Sequence, residues 1–465
     1  MRHFGLLATF AIFAAALNPS LLAQSPTATN DESVLAKIYD TALGSRSAYA
    51  QLIELTAKHP GRLSGSKNLE GAVLWGADAL KSAGADRVEL QPVMVPHWER
   101  GAPESVRMFP STGAPADSIS LAALALGGSI ATPPSGLRGR LVELQSIDEL
   151  KTVDVRGKIV FFNRPMTAGR VSPGVAYGET GDQRNRGPAE AAKAGAIGTL
   201  VRSLTHALDD IPHTGNTSSP KDGPRIPAAA ISTLAAERLS AALKTTPDLE
   251  VEMAIHSQWF PDAPSHNVIG EIRGSEHPEQ IILVGGHLDS WDVTPGAQDN
   301  GTGVVASIEV FRLLKAIGYQ PRHTIRCVLF TSEENSGNGG REYARVAAEK
   351  NEKHILALEN DAGGDRPRGF NFGNATGDAH IKAARWKELL MPYGIHLFQR
   401  GMGGADVRFL FLQGQTVAGL MPESQRYFDY HHTTADTPDK VNPRELALGA
   451  AAMASLVYLV DQHGL

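Results

Sequence analysis

Residues Ile281 to Leu314 read IILVGGHLDSWDVTPGAQDNGTGVVASIEVFRLL. An unbroken apolar run, Ile281 to Val284, meets Gly285 and Gly286 and spills into a loop carrying His287, Asp289 and Asp299. Beyond Gly301, Val304, Val305, Ile308, Phe311 and Leu314 recur at helical spacing. A buried strand, a polar loop and an amphipathic helix are therefore predicted. Open α/β sheets bind their ligands at the carboxyl ends of their strands. An imidazole and two carboxylates on such a loop are candidate metal ligands.

The same pattern returns downstream. Strand-like Thr324 to Thr331 is followed by Glu333 and Glu334, Ile355 to Glu359 by Asp361, and Thr416 to Leu420 by a loop with His431 and His432. Helical segments lie between and after them: Gly340 to Lys350, Ala379 to Leu390 and Pro443 to Val460. Such alternation predicts an α/β fold, a mostly parallel or mixed sheet with helices on both faces. Parallel strands side by side would bring the four loops together.

Upstream, Ser33 to Lys81 reads as helical with a break at His59-Pro60-Gly61, and Arg87 to Val95 as a strand. From about Ser111 the texture changes to short β-rich runs with Gly and Pro. Arg138 to Leu144, Lys158 to Asn163 and Gly198 to Val201 read as strands, Ala189 to Ala196 as a helix, and Pro227 to Leu243 as a strand and a helix. These can form a unit of their own. The expected division is a leader at 1–23, a first part of the catalytic domain at 24–111, an inserted β-rich domain at 112–256, and the rest of the catalytic domain at 257–465. Pro261 to Ser265 is expected to be the linker leading back.

With 465 residues the chain has ample material for more than one core, and its net charge of −6 is spread without a basic run. That argues against nucleic acid as a partner. MRHFGLLATFAIFAAALNPSLLAQSP, with Arg2, an apolar core and small residues near Ala23, has the form of a secretory signal peptide. It predicts a secreted or periplasmic protein with no membrane attachment after cleavage, since no other segment reads as apolar enough to span a bilayer. Cys327 is the only cysteine, so no internal disulfide can form, and its apolar surroundings make it a core residue.

The collected residues suit one chemistry. Zinc takes imidazole nitrogen and carboxylate oxygen, and two ions ~3.5–4 Å apart can share a bridging carboxylate while activating water and polarising a carbonyl. One histidine, two aspartates, a glutamate and a last histidine suffice to hold two Zn2+, which leaves Glu333 to take a proton from the water. His97, His213, His266 and His323 are expected to be surface or hydrogen-bonded core residues.

His287-Leu288-Asp289, Gln298-Asp299-Asn300-Gly301, Ser332-Glu333-Glu334, Glu359-Asn360-Asp361 and His432-Thr433-Thr434-Ala435-Asp436-Thr437 resemble, in order, the site motifs of the M28 metallopeptidase family. Within that family the chain looks most like the carboxypeptidase Q group, whose N-terminal motif resembles His59 to Ser66 (HPGRLSGS). The segment at 112–256 is similar to a protease-associated domain. The resemblance implies that His287 and Asp361 bind one zinc, Glu334 and His432 the other, and Asp299 both. It implies Glu333 as general base, Asp289 as the hydrogen-bond partner that orients His287, and a cis peptide at Asp299-Asn300. Where members often carry a tyrosine just before the last ligand, this chain has His431, which takes the expected role of steadying the oxyanion, with Tyr430 as second candidate. Gly404-Ala405-Asp406-Val407 stands where relatives often have Ser-Asp-His. The implied activity is a zinc exopeptidase acting on short peptides or dipeptides, and a homodimer is left open. The competing expectations are a single-zinc glutaminyl cyclase-like acyltransferase and a receptor-like binding module without catalysis.

Overall fold

The computed structural model describes residues 1, 30–109, 118–218 and 223–465. Apart from Met1, the expected leader at 1–23 lies outside the described residues. The described chain forms two sheets of eight strands each.

The first sheet carries the loops of interest. Its strands lie in the order Arg87–Glu99, Gln258–Ile272, His323–Phe330, His277–His287, Lys353–Glu359, Val417–Pro422, Pro367–Gly373 and Leu397–Arg400. The four central strands, from His323–Phe330 to Val417–Pro422, are mutually parallel. Antiparallel partners flank them on both sides, so the sheet is mixed.

Alternation along the strand His277–His287 explains why it is buried from Ile281 onward. Ile282 and Val284 enter the core built with helices Asn30–Leu43, Ser47–Lys58, Lys67–Ser82, Thr302–Ala316 and Pro443–His463. Ile281 and Leu283 point the other way, into a core with Tyr343, Ala344 and Ala347 of helix Asn338–Glu349 and with Leu410. A strand covered on both faces has no polar side to show. Helix Thr302–Ala316 follows the predicted segment closely.

The structure corrects several expectations. Pro261 to Ser265 is no linker but part of the long strand Gln258–Ile272, paired with Arg87–Glu99. The neighbouring strand His323–Phe330 pairs only from Val268 onward, so the Pro261 and Pro264 stretch has a free edge. Proline is tolerated there because no ladder donor is required. Ala379 to Leu390 is broken into Ala379–Ala383, Ala384–Trp386 and Lys387–Leu390. Helix Pro443–His463 is long and apolar enough to cross a membrane by length and composition. It is apolar all round because it is buried, packed against helices Asn30–Leu43 and Thr302–Ala316.

The second sheet runs Ile119–Leu121, Ser105–Phe109, Glu250–Ala254, Leu137–Leu144, Ile159–Phe162, Gly198–Arg202, Ala228–Ile231 and Ala123–Ala125, with a core of its own that includes Ile159, Phe161, Leu239 and Val251. Strand Ser105–Phe109 joins it ahead of residue 112.

Two features yield tests of the packing. Gly303 donates to Asn300 Oδ1 at 3.0 Å, and Asn300 Nδ2 donates to the Asn360 carbonyl at 2.8 Å, which pins the helix start to the neighbouring loop. A Cβ on Gly303 would stand 2.0 Å from the Asn360 oxygen. Gly303→Ala should therefore cost about 1–3 kcal/mol or more, and an unchanged urea midpoint would contradict this packing. His354 is buried, with Nε2 2.8 Å from the Tyr343 hydroxyl and no partner for Nδ1. Burial, helped by Arg326, depresses its pKa to about 3. Below about pH 6.5 the unfolded chain takes up a proton that the folded one refuses. The stability tied to His354 is thus complete above about pH 6.5 and drains away as the pH falls toward 3. His354→Gln should flatten the acid limb of a stability-against-pH curve, and an unaltered limb would exclude this origin.

Candidate metal centre

His287 ends strand His277–His287, where the chain's next strand lies on one side and the one after it on the other. Reversal points of this kind open the crevices in which α/β sheets hold ligands. His287 Nε2 stands 3.1 Å from Asp299 Oδ1 and 3.2 Å from Asp361 Oδ1. His432 Nε2 stands 3.2 Å from Asp299 Oδ2 and 3.2 Å from Glu334 Oε2. The two oxygens of Asp299 thus face two different histidine-centred groups. His431 stacks on His432 with ring centroids 3.5 Å apart, its Nε2 3.5 Å from Asp299 Oδ2. The donor atoms of His287, Asp299 and Asp361 lie within 4.8 Å of one another, as do those of Asp299, His431 and His432. Glu333 sits on the wall of the same cleft.

Buried polar groups hold these residues in place. Ser332 takes a φ of +61°, and the next two amides, of Glu333 and Glu334, donate to the Asp289 carboxylate at 3.0 and 3.2 Å. Asp289 Oδ1 is 3.6 Å from His287 Nδ1, whose nearer partner is the Asp289 backbone oxygen at 3.1 Å. One aspartate therefore ties the His287 loop to the Glu333 loop. Asp436 accepts the amides of Gln298 and Asp299 at 2.6 and 3.0 Å. The fully buried Arg62 donates to the carbonyls of Leu288, Pro295 and Gly296 at 2.5, 2.6 and 2.9 Å, so the HPGRLSGS segment braces the loop between His287 and Asp299. The peptide Asp299-Asn300 is cis.

The charges explain what this cluster wants. Burial, joined by Asp361, Glu334 and Asp289, pushes Glu333 well above the usual carboxylate range. Burial and Asp299 push Glu334 up to about 7, and burial with Asp361 pushes Glu359 up to about 8. Burial resists charge on the imidazoles too. Asp361, Asp289 and Asp299 nevertheless hold His287 well above its ordinary value, and Glu334 with Asp299 raises His432 to about 10. The cluster gathers positive charge wherever it can, as carboxylates crowded out of water must. Glu334 Oε1 is buried without a hydrogen-bond partner. A divalent cation would satisfy that oxygen and the surplus negative charge together, so the residues present fit a metal.

The cleft of about 450 Å³ also has walls that the motifs did not point to. Tyr177, Arg184 and Asn216 reach it from the chain segment of the second sheet. Tyr427 lines it, whereas Tyr430 is not among the lining residues. Burial and the charges of Asp299 and Asp361 push the Tyr427 hydroxyl well up, so it stays protonated. His213, expected to be structural, places Nδ1 2.8 Å from the His431 carbonyl. Asp406 and Val407 turn their amides onto the Glu359 carboxylate, nearest at 3.0 and 2.8 Å, so that loop braces the sheet end. Tyr177, Arg184, Asn216 and Tyr427 lie outside the quoted motifs, and the sequence pointed to Tyr430 where Tyr427 lines the cleft.

The chain is 36% identical over 415 residues to carboxypeptidase Q of Bos taurus, covering 89% of this chain and 85% of that protein. Human carboxypeptidase Q matches at 36% over 417 residues, with the same shares. The chain belongs to peptidase family M28. The family model matches residues 267–457. A crystal structure of a peptidase M28 precursor from Shewanella amazonensis SB2B superposes with a TM-score of 0.87 at 34% identity, covering 93% of this chain and 96% of that one. A zinc aminopeptidase from Bacillus subtilis shares the fold at a TM-score of 0.63 and 22% identity, over 89% and 94% of the two chains. As an M28 peptidase the chain is a metallopeptidase.

The supports around Asp299 carry a measurable consequence. In Asp436→Asn one carboxylate oxygen becomes an NH2 that faces an amide donor. If Asp299 holds zinc, the affinity should fall about 10–100-fold, the range for losing a group that orients a metal ligand. Parental affinity in a chelator competition would contradict a positioning role.

Proposed function

We propose that the chain is a zinc-dependent exopeptidase that hydrolyses short peptides, dipeptides among them, with two Zn2+ per chain. His287 and Asp361 would hold one ion, Glu334 and His432 the other, and Asp299 both. The observation that carries this reading is Asp299 itself, with Oδ1 3.1 Å from His287 and Oδ2 3.2 Å from His432. His432 is preferred to His431 as the last ligand because it alone of the two also meets Glu334, at 3.2 Å. A cleft of about 450 Å³ suits a small peptide, since pockets for small ligands run ~300–1,000 Å³.

When bound, the ions would supply Lewis acidity and lower the pKa of the attacking water. The rest falls to side chains. Glu333 takes the proton from that water and delivers it to the departing amine. His431, which burial and the neighbouring His432 keep neutral, donates an N–H toward the developing oxyanion, and the protonated Tyr427 hydroxyl is a second donor on the same wall. Asp289 keeps His287 and Glu333 in register through the contacts already given. The second sheet's segment would act as an inserted domain, expected at 112–256 and reaching back to strand Ser105–Phe109, that forms the far wall of the cleft. The N-terminal 1–23 would direct the protein to a secreted or periplasmic location.

Glu333→Gln should keep the parental zinc content while kcat on a dipeptide falls by ~10²–10⁴. Chelation should abolish parental activity and zinc should restore it. Hydrolysis by the variant at the parental rate would remove Glu333 from this role, and activity indifferent to chelator would overturn the metal chemistry.

A further inference from the structure

We propose that Arg184 is the group that binds the free carboxylate of the substrate's C-terminal residue, the recognition on which removal of a C-terminal residue depends. This deepens the peptidase reading above and rests on it.

Arg184 is 6% exposed and lines the cleft together with Asp299, Glu333 and Glu334. Its Nε donates to Asn185 Oδ1 at 3.3 Å, Nη1 to the Thr214 carbonyl at 3.3 Å, and Nη2 to the Tyr177 hydroxyl at 2.5 Å. All three acceptors are neutral. Among the described residues no carboxylate pairs with it, although a guanidinium carries five N–H donors and a buried, unpaired charge is costly. A carboxylate from outside would complete the set by the two parallel bonds for which the planar fork is shaped.

The position is also built for the purpose. Gly215 has a φ of +143°, and a Cβ there would come within 2.5 Å of the guanidinium carbon, so a side chain at this position would displace Arg184. Thr214 takes the Arg184 bond on its carbonyl oxygen and lies 3.2 Å from His432 Nδ1 through that same atom. Its amide donates to the His432 carbonyl at 3.0 Å. A single residue therefore sets the spacing between Arg184 and the proposed metal ligand. That arrangement is a ruler from the reacting carbonyl to the chain terminus.

Charge on the cleft wall agrees. The acids that line it are Asp299, Glu333, Glu334 and Asp361, every one of which the mechanism uses. Among the described residues that leaves no lining carboxylate to receive a substrate's α-ammonium group. The arginines there are Arg184 and, at the exposed rim, Arg408, whose guanidinium carbon lies 5.0 Å from the Phe409 ring.

The test compares Ala-Ala, N-acetyl-Ala-Ala and Ala-Ala-amide as substrates of the zinc-loaded full chain. The parental enzyme should cleave both free acids with kcat/KM at least about 30-fold above that of the amide, the factor expected for losing one partner of a buried charged pair. Arg184→Met should lose that factor on the acids, chiefly through KM, while the amide, which has no carboxylate to lose, falls by a much smaller factor. Arg184→Lys should recover part of it. Equal rates on acid and amide in the parental enzyme would overturn the proposal, as would cleavage of the amide but not of the acetylated acid. So would an Arg184→Met variant that loses acid and amide activity by the same factor, which marks a purely structural role. If the parental enzyme cleaves none of the three and shows no chelator-sensitive activity, the peptidase reading itself fails and takes this inference with it.

Discussion

Asp299 is one carboxylate with His287 at one oxygen and His432 and His431 at the other, and the loops around it are tied down by buried hydrogen bonds. Its oxygens lie 3.1 Å from His287 and 3.2 Å from His432, residues that reach it from the ends of different strands. A carboxylate so buried can remain charged only among cations or donors. Asp436 supplies order from behind by accepting its amide, and Arg62 ties down the loop that leads to it through three carbonyl bonds. The N-terminal HPGRLSGS segment and the C-terminal HTTADT segment thus act on the same few atoms from opposite ends of the chain.

The sheet explains why these parts can meet. Four parallel strands end together, so the loops after His287, Phe330, Glu359 and Pro422 open on one edge. Close approach there is paid for in side-chain volume, as Gly303 against the Asn360 carbonyl and Gly404 against the Glu359 carboxylate show. The second sheet adds a wall from another part of the chain. Its Thr214 pairs with the His432 backbone, which links the two sheets through the residue that most needs a fixed position.

What the sequence disclosed follows from the range of the forces involved. Helix Thr302–Ala316 and the strand before it were legible because burial imprints a short period on local sequence. The six residues that converge on the cleft were legible because each lies beyond a strand of that kind. Strands Pro367–Gly373 and Leu397–Arg400 were missed: the first opens on Pro367, Arg368 and Gly369, which read as a turn, and the second has only four residues. Pro261 and Pro264 looked like a linker because pairing along a free edge depends on a partner strand some 170 positions away. Arg184 gave no local signal at all. Its importance lies in neutral neighbours and a nearby glycine, both properties of the folded chain.

Calorimetric titration of the metal-stripped full chain with zinc addresses the shared carboxylate most directly. Two equivalents should bind to the parental protein, and Asn in place of Asp299 should weaken both events, because each ion loses the same ligand. One equivalent at saturation, or a variant in which only one of two events is weakened, would contradict a carboxylate held in common.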